Sequence, residues 1–273
     1  MERIKYTFFC LLFLASFKTN AANDTTLLQL EMVKKISGNF LNLYVDNLKN
    51  YYLQTSPNQL TKFNNEGDSV ASFNDVKRYG NIYAVDVTNP LKILIYYKDF
   101  TTIIIADRFL SKANTVDLRK ANIYQAQAVA LSYDNNFWVF DELDSKLKKI
   151  DDNGNVIFES TDFRLLFPEA PNISTIIDNN GQLYLYDEKT GWYIFDYYGA
   201  LKTRLPFIGW KDVSASDDIL YGRNGAFSYA YHPKQLQLET YKTNLPSSVK
   251  VITNNGFYYA LTNNGLIIYK TSQ

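Results

Sequence analysis

The sequence predicts an all-β fold built from one repeated four-stranded unit, and three observations carry that prediction. The chain of 273 residues is 16% aromatic, with 22 Tyr and 18 Phe against 12 Gly and 7 Pro, and aromatic residues favour strands. A turn rich in Asp, Asn and Gly recurs along the chain, each time before alternating aromatic residues. The copies lie roughly 40 residues apart, which is enough for four short strands joined by hairpins.

The recurring turn sets the positions of the repeats. Its copies begin at Asp46, Asp134, Asp178, Asp217 and Asn254. Asp46 and Asp134 are two periods apart, and Thr88–Pro90 supplies a turn where the missing copy is expected. Asn-Gly and related pairs provide the positive φ angles that tight hairpin turns need. Each repeat is therefore predicted to be a meander of four strands.

Four strands in about 40 residues is the period of a β-propeller blade. Six blades are predicted, near residues 38–73, 79–118, 124–160, 172–206, 210–244 and 247–273. The last copy is one strand short, and the segment Leu27–Ile36 is predicted to supply that strand and close the ring. Leu28, Leu30 and Met32 are then expected to face one side of it. A β-sandwich or barrel would explain the strands but not the period, so residues 23–273 are predicted to form one six-bladed propeller.

The first 22 residues have the pattern of a signal peptide. Arg3 and Lys5 precede an apolar run from Tyr6 to Phe17, and small residues follow at Ala21 and Ala22. The run of about a dozen residues is too short to span a membrane comfortably. The protein is therefore expected to be exported, either periplasmic or outer-membrane-associated, with secretion as an alternative and no transmembrane segment after cleavage.

The composition excludes several classes of function. Lys and Arg together number 28, as do Asp and Glu, so the charge balance gives no sign of nucleic-acid binding. One Cys and one His exclude a thiolate zinc site and a His-pair metal site. Asp151–Asn155 only partly matches a calcium loop and is predicted to be a hairpin turn. No cofactor and no metal are expected.

With its blade repeat, the chain resembles exported bacterial six-bladed propellers of the broad NHL and WD40-like kind. The resemblance covers about residues 27–273 and concerns architecture. The resemblance implies a binding or scaffolding role, which is the usual one in such families. The blade repeat itself specifies only the architecture, which carries many functions. Some members of these families assist outer-membrane protein assembly or secretion, and a minority are calcium-dependent hydrolases.

Residues for catalysis are sparse in the sequence. His232 is the only imidazole, and its position beside Pro233 predicts a residue in a surface hairpin. There is no Gly-x-Ser-x-Gly elbow and no Cys after the predicted signal peptide. These absences favour a non-enzymatic role. A metal-assisted hydrolase acting in the central channel stays open as the alternative.

The segments between blades are the predicted contact surface, because in propellers they collect on one face around the channel. The candidate partner-binding residues are Arg78, Tyr79, Tyr124, Arg164, Phe167, Trp210 and Lys211. The longest segment, Thr161–Asn172, is apolar and contains two prolines. It is predicted either to contact a protein or to pack down over the channel.

These observations lead to one hypothesis and two alternatives. The protein is expected to be a protein-interaction or scaffold module of the bacterial cell envelope, with a protein partner there. The hydrolase is one alternative. The other is a glycan-binding propeller, for which Trp210 is the best candidate. The oligomeric state stays open.

Overall fold

The structure, a computed structural model, describes residues 26–55, 59–246 and 248–271. The predicted signal peptide lies outside these residues. Within them the chain forms twenty-five strands in six sheets, two short α-helices and two short 3-10 helices. The first two strands are β1 (Thr26–Leu28) and β2 (Leu30–Ser37).

The first three blades follow one another along the chain. Blade one contains β3 (Phe40–Val45), β4 (Tyr51–Thr55), β5 (Gln59–Phe63) and β6 (Ser69–Phe73). Blade two contains β7 (Ala84–Asn89), β8 (Lys92–Tyr97), β9 (Thr102–Asp107) and β10 (Lys112–Asp117). Blade three contains β11 (Ala126–Leu131), β12 (Phe137–Asp141), β13 (Lys146–Ile150) and β14 (Val156–Glu159).

The second three blades repeat the arrangement. Blade four contains β15 (Thr175–Asn179), β16 (Gln182–Asp187), β17 (Gly191–Asp196) and β18 (Leu201–Leu205). Blade five contains β19 (Lys211–Ser216), β20 (Ile219–Asn224), β21 (Phe227–His232) and β22 (Gln237–Thr243). Blade six contains β23 (Lys250–Asn254), β24 (Phe257–Thr262) and β25 (Gly265–Thr271).

The helical elements lie in or beside the connections between strands. They are α1 (Val76–Tyr79), α2 (Phe163–Leu166) and the 3-10 turns Lys98–Phe100 and Leu118–Ala121.

The six sheets are arranged in a ring. The first strand of each blade contacts the first strand of the next, and β23 contacts β3 to complete the circle. These six inner strands therefore surround the central axis, and the other strands of each blade lie progressively further out. The predicted six-bladed β-propeller is confirmed.

The chain start closes the ring, as predicted. β2 pairs antiparallel with β25, from Leu30 opposite Thr271 to Ser37 opposite Gly265, and becomes the outer strand of blade six. The alternation differs from the prediction. The register shifts between Met32 and Lys34, and Met32 is exposed. The shift arises because a bulge adds one residue to β2. Residues after the bulge therefore face the opposite side of the sheet from the side that simple alternation predicts.

The sequence did not predict the strand that precedes β2. β1 pairs parallel with β22 and becomes the fifth strand of blade five. Gln29 lies between the two strands, where the segment passes from one blade to the next. The start of the described chain therefore joins blades five and six along their outer edges.

Aromatic residues fill the spaces between blades. Trp138 and Trp192 are almost completely buried. Phe163, from the segment between blades three and four, stacks on Phe195 with ring centroids 5.4 Å apart. Burying a large aromatic side chain removes roughly 150–250 Å² from water. Contacts of this kind between neighbouring blades hold the ring together.

The recurring aspartates stabilise turns and also join blades. Asp46 Oδ1 accepts hydrogen bonds from the backbone N–H groups of Leu48 and Asn50, both at 2.9 Å. Asp178 Oδ2, in blade four, accepts a bond of 3.0 Å from Trp138 Nε1 in blade three. The Asp46 carboxylate thus caps a turn, and the Asp178 carboxylate bridges two blades. Both roles are structural.

The many buried tyrosines predict loss of stability at high pH. Burial raises the pKa of Tyr184, Tyr186, Tyr258 and Tyr259 from the usual 10.0 to about 12. Because the unfolded chain loses these protons first, the stability they provide is present below pH 10 and is lost as the pH rises toward 12. In that window each such group removes at most roughly 1.4 kcal/mol of stability per pH unit, and screening by solvent reduces this loss.

One buried lysine changes the pH dependence of folding stability in the opposite direction. Burial lowers the pKa of Lys250 to about 8, although the charge of Asp212 opposes the shift. The folded protein therefore releases this proton before the unfolded chain does, which adds stability as the pH rises from about 8 to 10.5. One lysine is outweighed by several tyrosines. Urea unfolding from pH 8 upward should show a steep fall in unfolding free energy above pH 10, and a flat profile there would contradict this prediction.

Candidate functional site

The segments between blades lie on one face of the ring, which we call the loop face. Each inner strand begins there, so the loops joining the second and third strands of each blade reach the same face. Backbone hydrogen bonds join the two sets of loops: Leu118 N to Thr101 O at 3.0 Å, and Gly209 N to Glu188 O at 2.7 Å. The recurring Asp/Asn turns end the inner strands on the opposite side, which we call the turn face.

Four of the seven predicted contact residues are exposed on the loop face. Arg78 is exposed, and Tyr124 has 58% of its surface accessible. Arg164 is held by Asp162, with Nη2 and Oδ2 2.6 Å apart. Lys211 pairs with Glu188 at 2.6 Å. The structure distributes these four around the ring instead of bringing them together at one point.

The other three are buried, so their side chains belong to the core. Trp210 is 4% exposed and lies between Phe207 and Tyr229, with both ring centroids 5.0 Å away. Phe167 packs on Tyr193, and Tyr79 packs on Tyr97. Trp210 was also the residue proposed for glycan binding, and its burial removes it as an exposed stacking platform. The neighbouring strands cover these aromatic rings, which no local pattern in the sequence reveals.

The long segment Thr161–Asn172 packs partly into the core between blades three and four, and its contact with a protein partner stays a prediction. The Asp162 side chain accepts a bond from Arg164 N and caps the helical turn α2. Phe163 and Phe167, four residues apart, point into the core between blades three and four. Leu165 is 80% exposed on the other side of the turn. One side of the segment therefore packs inward, and the other remains open to solvent.

Exposed apolar side chains occur in the loops all round the loop face. They are located before or near the start of an inner strand, or in a loop between second and third strands. They are Leu41, Tyr83, Phe100, Tyr124, Leu143, Leu165, Leu166, Ile208 and Val249. We call this set the apolar ring. Most of its members were not predicted from the sequence, because a single apolar residue in a loop has no periodic pattern. For the members that lie just before an inner strand, that position was the available signal.

Two lysines lie beside the inner strands near this face. Lys250 Nζ donates to Asn42 Oδ1 at 2.7 Å and lies 4.6 Å from the centroid of the Tyr44 ring. Lys98 Nζ donates to Gln127 Oε1 at 2.8 Å and lies 4.7 Å from the Tyr83 ring. Each ammonium group is held by an amide oxygen and an aromatic face. These contacts fix both lysine side chains across neighbouring blades.

The alternative of a metal-assisted hydrolase requires oxygen ligands that converge on one point. Across residues 26–55, 59–246 and 248–271, no group of three or more His, Cys, Asp or Glu side chains is placed to hold a metal ion. His232 ends β21 in blade five and lies away from the central channel. Its Nε2 is 3.4 Å from Glu239 Oε2.

These features define the protein as a closed six-bladed β-propeller with an apolar ring on its loop face. No protein-family model matches the chain, and no curated protein matches it. Solved structures that are similar to the chain include the Pan2 WD40 domain of Neurospora crassa, with a TM-score of 0.64 and 9% identity, covering 91% of this chain and 98% of that one. No helix in the described part of the chain is long and apolar enough to cross a membrane.

Two further solved structures are similar to the same extent. Virginiamycin B lyase from Staphylococcus aureus has a TM-score of 0.62 at 10% identity, covering 90% of this chain and 100% of that one. The Cps50 (Swd1) propeller domain of Myceliophteria thermophila has a TM-score of 0.61 at 10% identity, covering 89% and 100%. At such identities the likeness shows the fold alone.

Proposed function

We propose that this protein is a non-enzymatic interaction module of the bacterial cell envelope and that it binds a protein partner through its loop face. The apolar ring is the observation that carries the proposal. A propeller holds its loops on a rigid scaffold, which suits them for recognition. The signal-peptide pattern supports the envelope location, and assistance to outer-membrane protein assembly or secretion is the role we propose there.

The apolar ring fits the anatomy of a protein interface. Apolar side chains collected on one face and surrounded by polar groups mark surfaces that bind other proteins. Charged pairs lie among them on the loop face, including Arg164 with Asp162 and Lys211 with Glu188. An apolar centre supplies most of the affinity, while peripheral charges guide orientation and association. A partner should therefore present an apolar surface with charges of both signs at its edge.

The proposal predicts that charges in the apolar ring abolish partner binding. The test variant is Tyr124→Glu/Leu165→Glu, which places two carboxylates on exposed positions of the loop face. The matched control is Leu91→Glu/Tyr198→Glu, whose side chains are exposed on the turn face, with Tyr198 90% accessible. All four side chains are largely exposed, so both variants should keep the wild-type melting temperature.

The measurement is recovery of partners from envelope extracts by the protein without residues 1–22, followed by binding to the purified partner. We expect the loop-face variant to lose binding by tenfold or more, and the turn-face control to retain it. Equal recovery by the two variants, or a wild-type protein that enriches no partner, would contradict the proposal.

A further inference from the structure

The six seams, where neighbouring blades pack face to face, bury unequal amounts of apolar surface. Among the residues that the structure describes, the seam between blades five and six has three buried residues in its apolar core, Val251, Tyr258 and Ala260, and all three belong to blade six. Each of the other five seams has at least seven, contributed by both of its blades. Separating two blades exposes their shared apolar surface to water, so this seam is the easiest of the six to open.

Two cavities lie in this seam, where apolar side chains fill the other five. One, of about 300 Å³, lies at the loop face, where Gly225 and Pro246 line it. The other, of about 190 Å³, lies toward the turn face, where Gly256 lines it. Ser228 lines both, so the two cavities meet at this short side chain of β21. Atoms that border a gap lose the dispersion contacts of close packing, which weakens the seam further.

The wall that blade five presents to this seam is largely polar. Ser214 and Tyr221 are opposite each other on β19 and β20, and Glu239 follows in the same row on β22. Ser214 Oγ is buried without a hydrogen-bond partner among the described residues. Glu239 Oε2 accepts a hydrogen bond from Tyr241 and lies 3.4 Å from His232 Nε2, both in blade five. These contacts of the carboxylate lie within its own blade and do not attach it to blade six.

Hydrogen bonds hold the seam at its inner end. Val251 N on β23 donates to Asp212 Oδ2 on β19 at 2.9 Å. Ser216 Oγ on β19 donates to Asn255 Oδ1, in the turn after β23, at 2.8 Å. Water replaces both partners when the blades separate, so such bonds add little net stability to the closed seam.

The start of the described chain tethers the same seam at its outer end. β1 belongs to blade five and β2 to blade six, and Gln29 lies between them. We call β1, Gln29 and β2 the strap. Leu28 and Leu30 of the strap pack against the small apolar core of the seam. The strap therefore keeps the two blades connected when their inner ends part.

We infer that the ring opens reversibly at the seam between blades five and six, and that the strap limits this opening. The hydrogen bonds at the inner end break, the strap stays paired with both blades, and the other five seams remain closed. Opening joins the two cavities into one cleft that reaches from the loop face to the turn face. This motion belongs to the scaffold and does not depend on whether the loop face binds a partner.

Native-state hydrogen exchange, followed by NMR on the protein without residues 1–22, tests the inference with two matched amides. Val251 N–H donates to Asp212 of the preceding blade, and Leu131 N–H likewise donates to Asp86 Oδ2 of the preceding blade at 2.7 Å. Val251 and Leu131 are each 4% exposed, so each amide exchanges when its own seam opens. After correction for intrinsic rates, we expect Val251 to exchange at least tenfold faster than Leu131. A smaller difference, or faster exchange at Leu131, would overturn the inference.

Variants of the strap test its part in the opening. Leu28→Ala removes a side chain that packs at the seam, and Leu30→Ala tests the same contact from β2. Leu27→Ala is the control, because Leu27 is 57% exposed on the same strand as Leu28. We expect Leu28→Ala and Leu30→Ala each to raise the ratio of the Val251 rate to the Leu131 rate at least threefold, and Leu27→Ala to leave it unchanged. A general loss of stability speeds both amides and leaves the ratio unchanged. An unchanged ratio in both test variants, or an equal rise in the control, would overturn the role of the strap.

Discussion

Deletion of residues 23–36 is expected to yield an open, aggregating ring. β2 is the outer strand of blade six, and its loss leaves the backbone of β25 unpaired along a raw edge. Leu28, Leu30 and Ile36 lose the half-buried positions in which they pack against neighbouring cores. Adding the exposure of Leu266 on β25, the change removes roughly 5 kcal/mol. That is comparable to the whole stability of many proteins, about 5–15 kcal/mol.

Size-exclusion chromatography and thermal unfolding measure this effect. Removal of residues 23–26 alone is the control and should do little, because Thr26 is exposed at the end of β1. A monomeric protein lacking residues 23–36 with an unchanged melting temperature would show that the ring closes without β2.

The same junction can be tested without a deletion. Gly265 has a φ of +133°, and a Cβ added there would lie 2.0 Å from Ile36 O on β2. Gly265→Ala should therefore push β2 away from β25 and lower the melting temperature. Gly181→Ala is the control, because Gly181 also has a positive φ, +83°, but a Cβ there would meet nothing within 4 Å.

Replacement of Lys148 by Met is expected to cost about 3–5 kcal/mol of folding stability. Lys148 and Asp141 are both nearly inaccessible, with Nζ and Oδ2 2.8 Å apart. Burial alone would lower the pKa of Lys148, but hydrogen bonds to Asp141 and Asp144 raise it overall, so the lysine stays charged. Removing it leaves the Asp141 carboxylate buried without its counter-charge, and the other carboxylates nearby add repulsion.

A second change separates this explanation from simple loss of packing. Lys148→Met/Asp141→Leu removes both charges and should recover most of the lost stability, because a buried ion pair contributes little beyond an apolar pair of similar size. Lys211→Met removes an exposed pair with Glu188 and should cost less than about 1 kcal/mol. Chemical denaturation of the variants measures each value. A double variant no more stable than Lys148→Met would contradict the buried-charge account.

The blades were predictable because their signals are local. A turn such as Asp178–Gly181 and the alternating residues after it fix a hairpin without reference to the rest of the chain. The closing strand was predictable because the last repeat lacked one strand. The bulge in β2 and the pairing of β1 with blade five were not, because each depends on an edge formed by residues far along the chain.

The surface was harder to predict than the fold. Trp210 lies in a segment between blades, as Tyr124 does, yet only Tyr124 is exposed. The difference comes from Gly222 on β20, where a Cβ would lie 2.4 Å from the Trp210 ring. The missing side chain provides the space that the indole fills.

The closing strand also determines the order of folding events. A blade is a meander of neighbouring hairpins, so its contacts are short in sequence and form quickly. β2 and β25 lie near opposite ends of the described chain, and their pairing must overcome the entropy of closing the longest loop in the molecule. We therefore expect ring closure to be the slow step, during which β25 presents an open edge. The β2 strand of a second chain fits that edge equally well, so closure within one chain competes with strand exchange between two, and dilution favours the monomer.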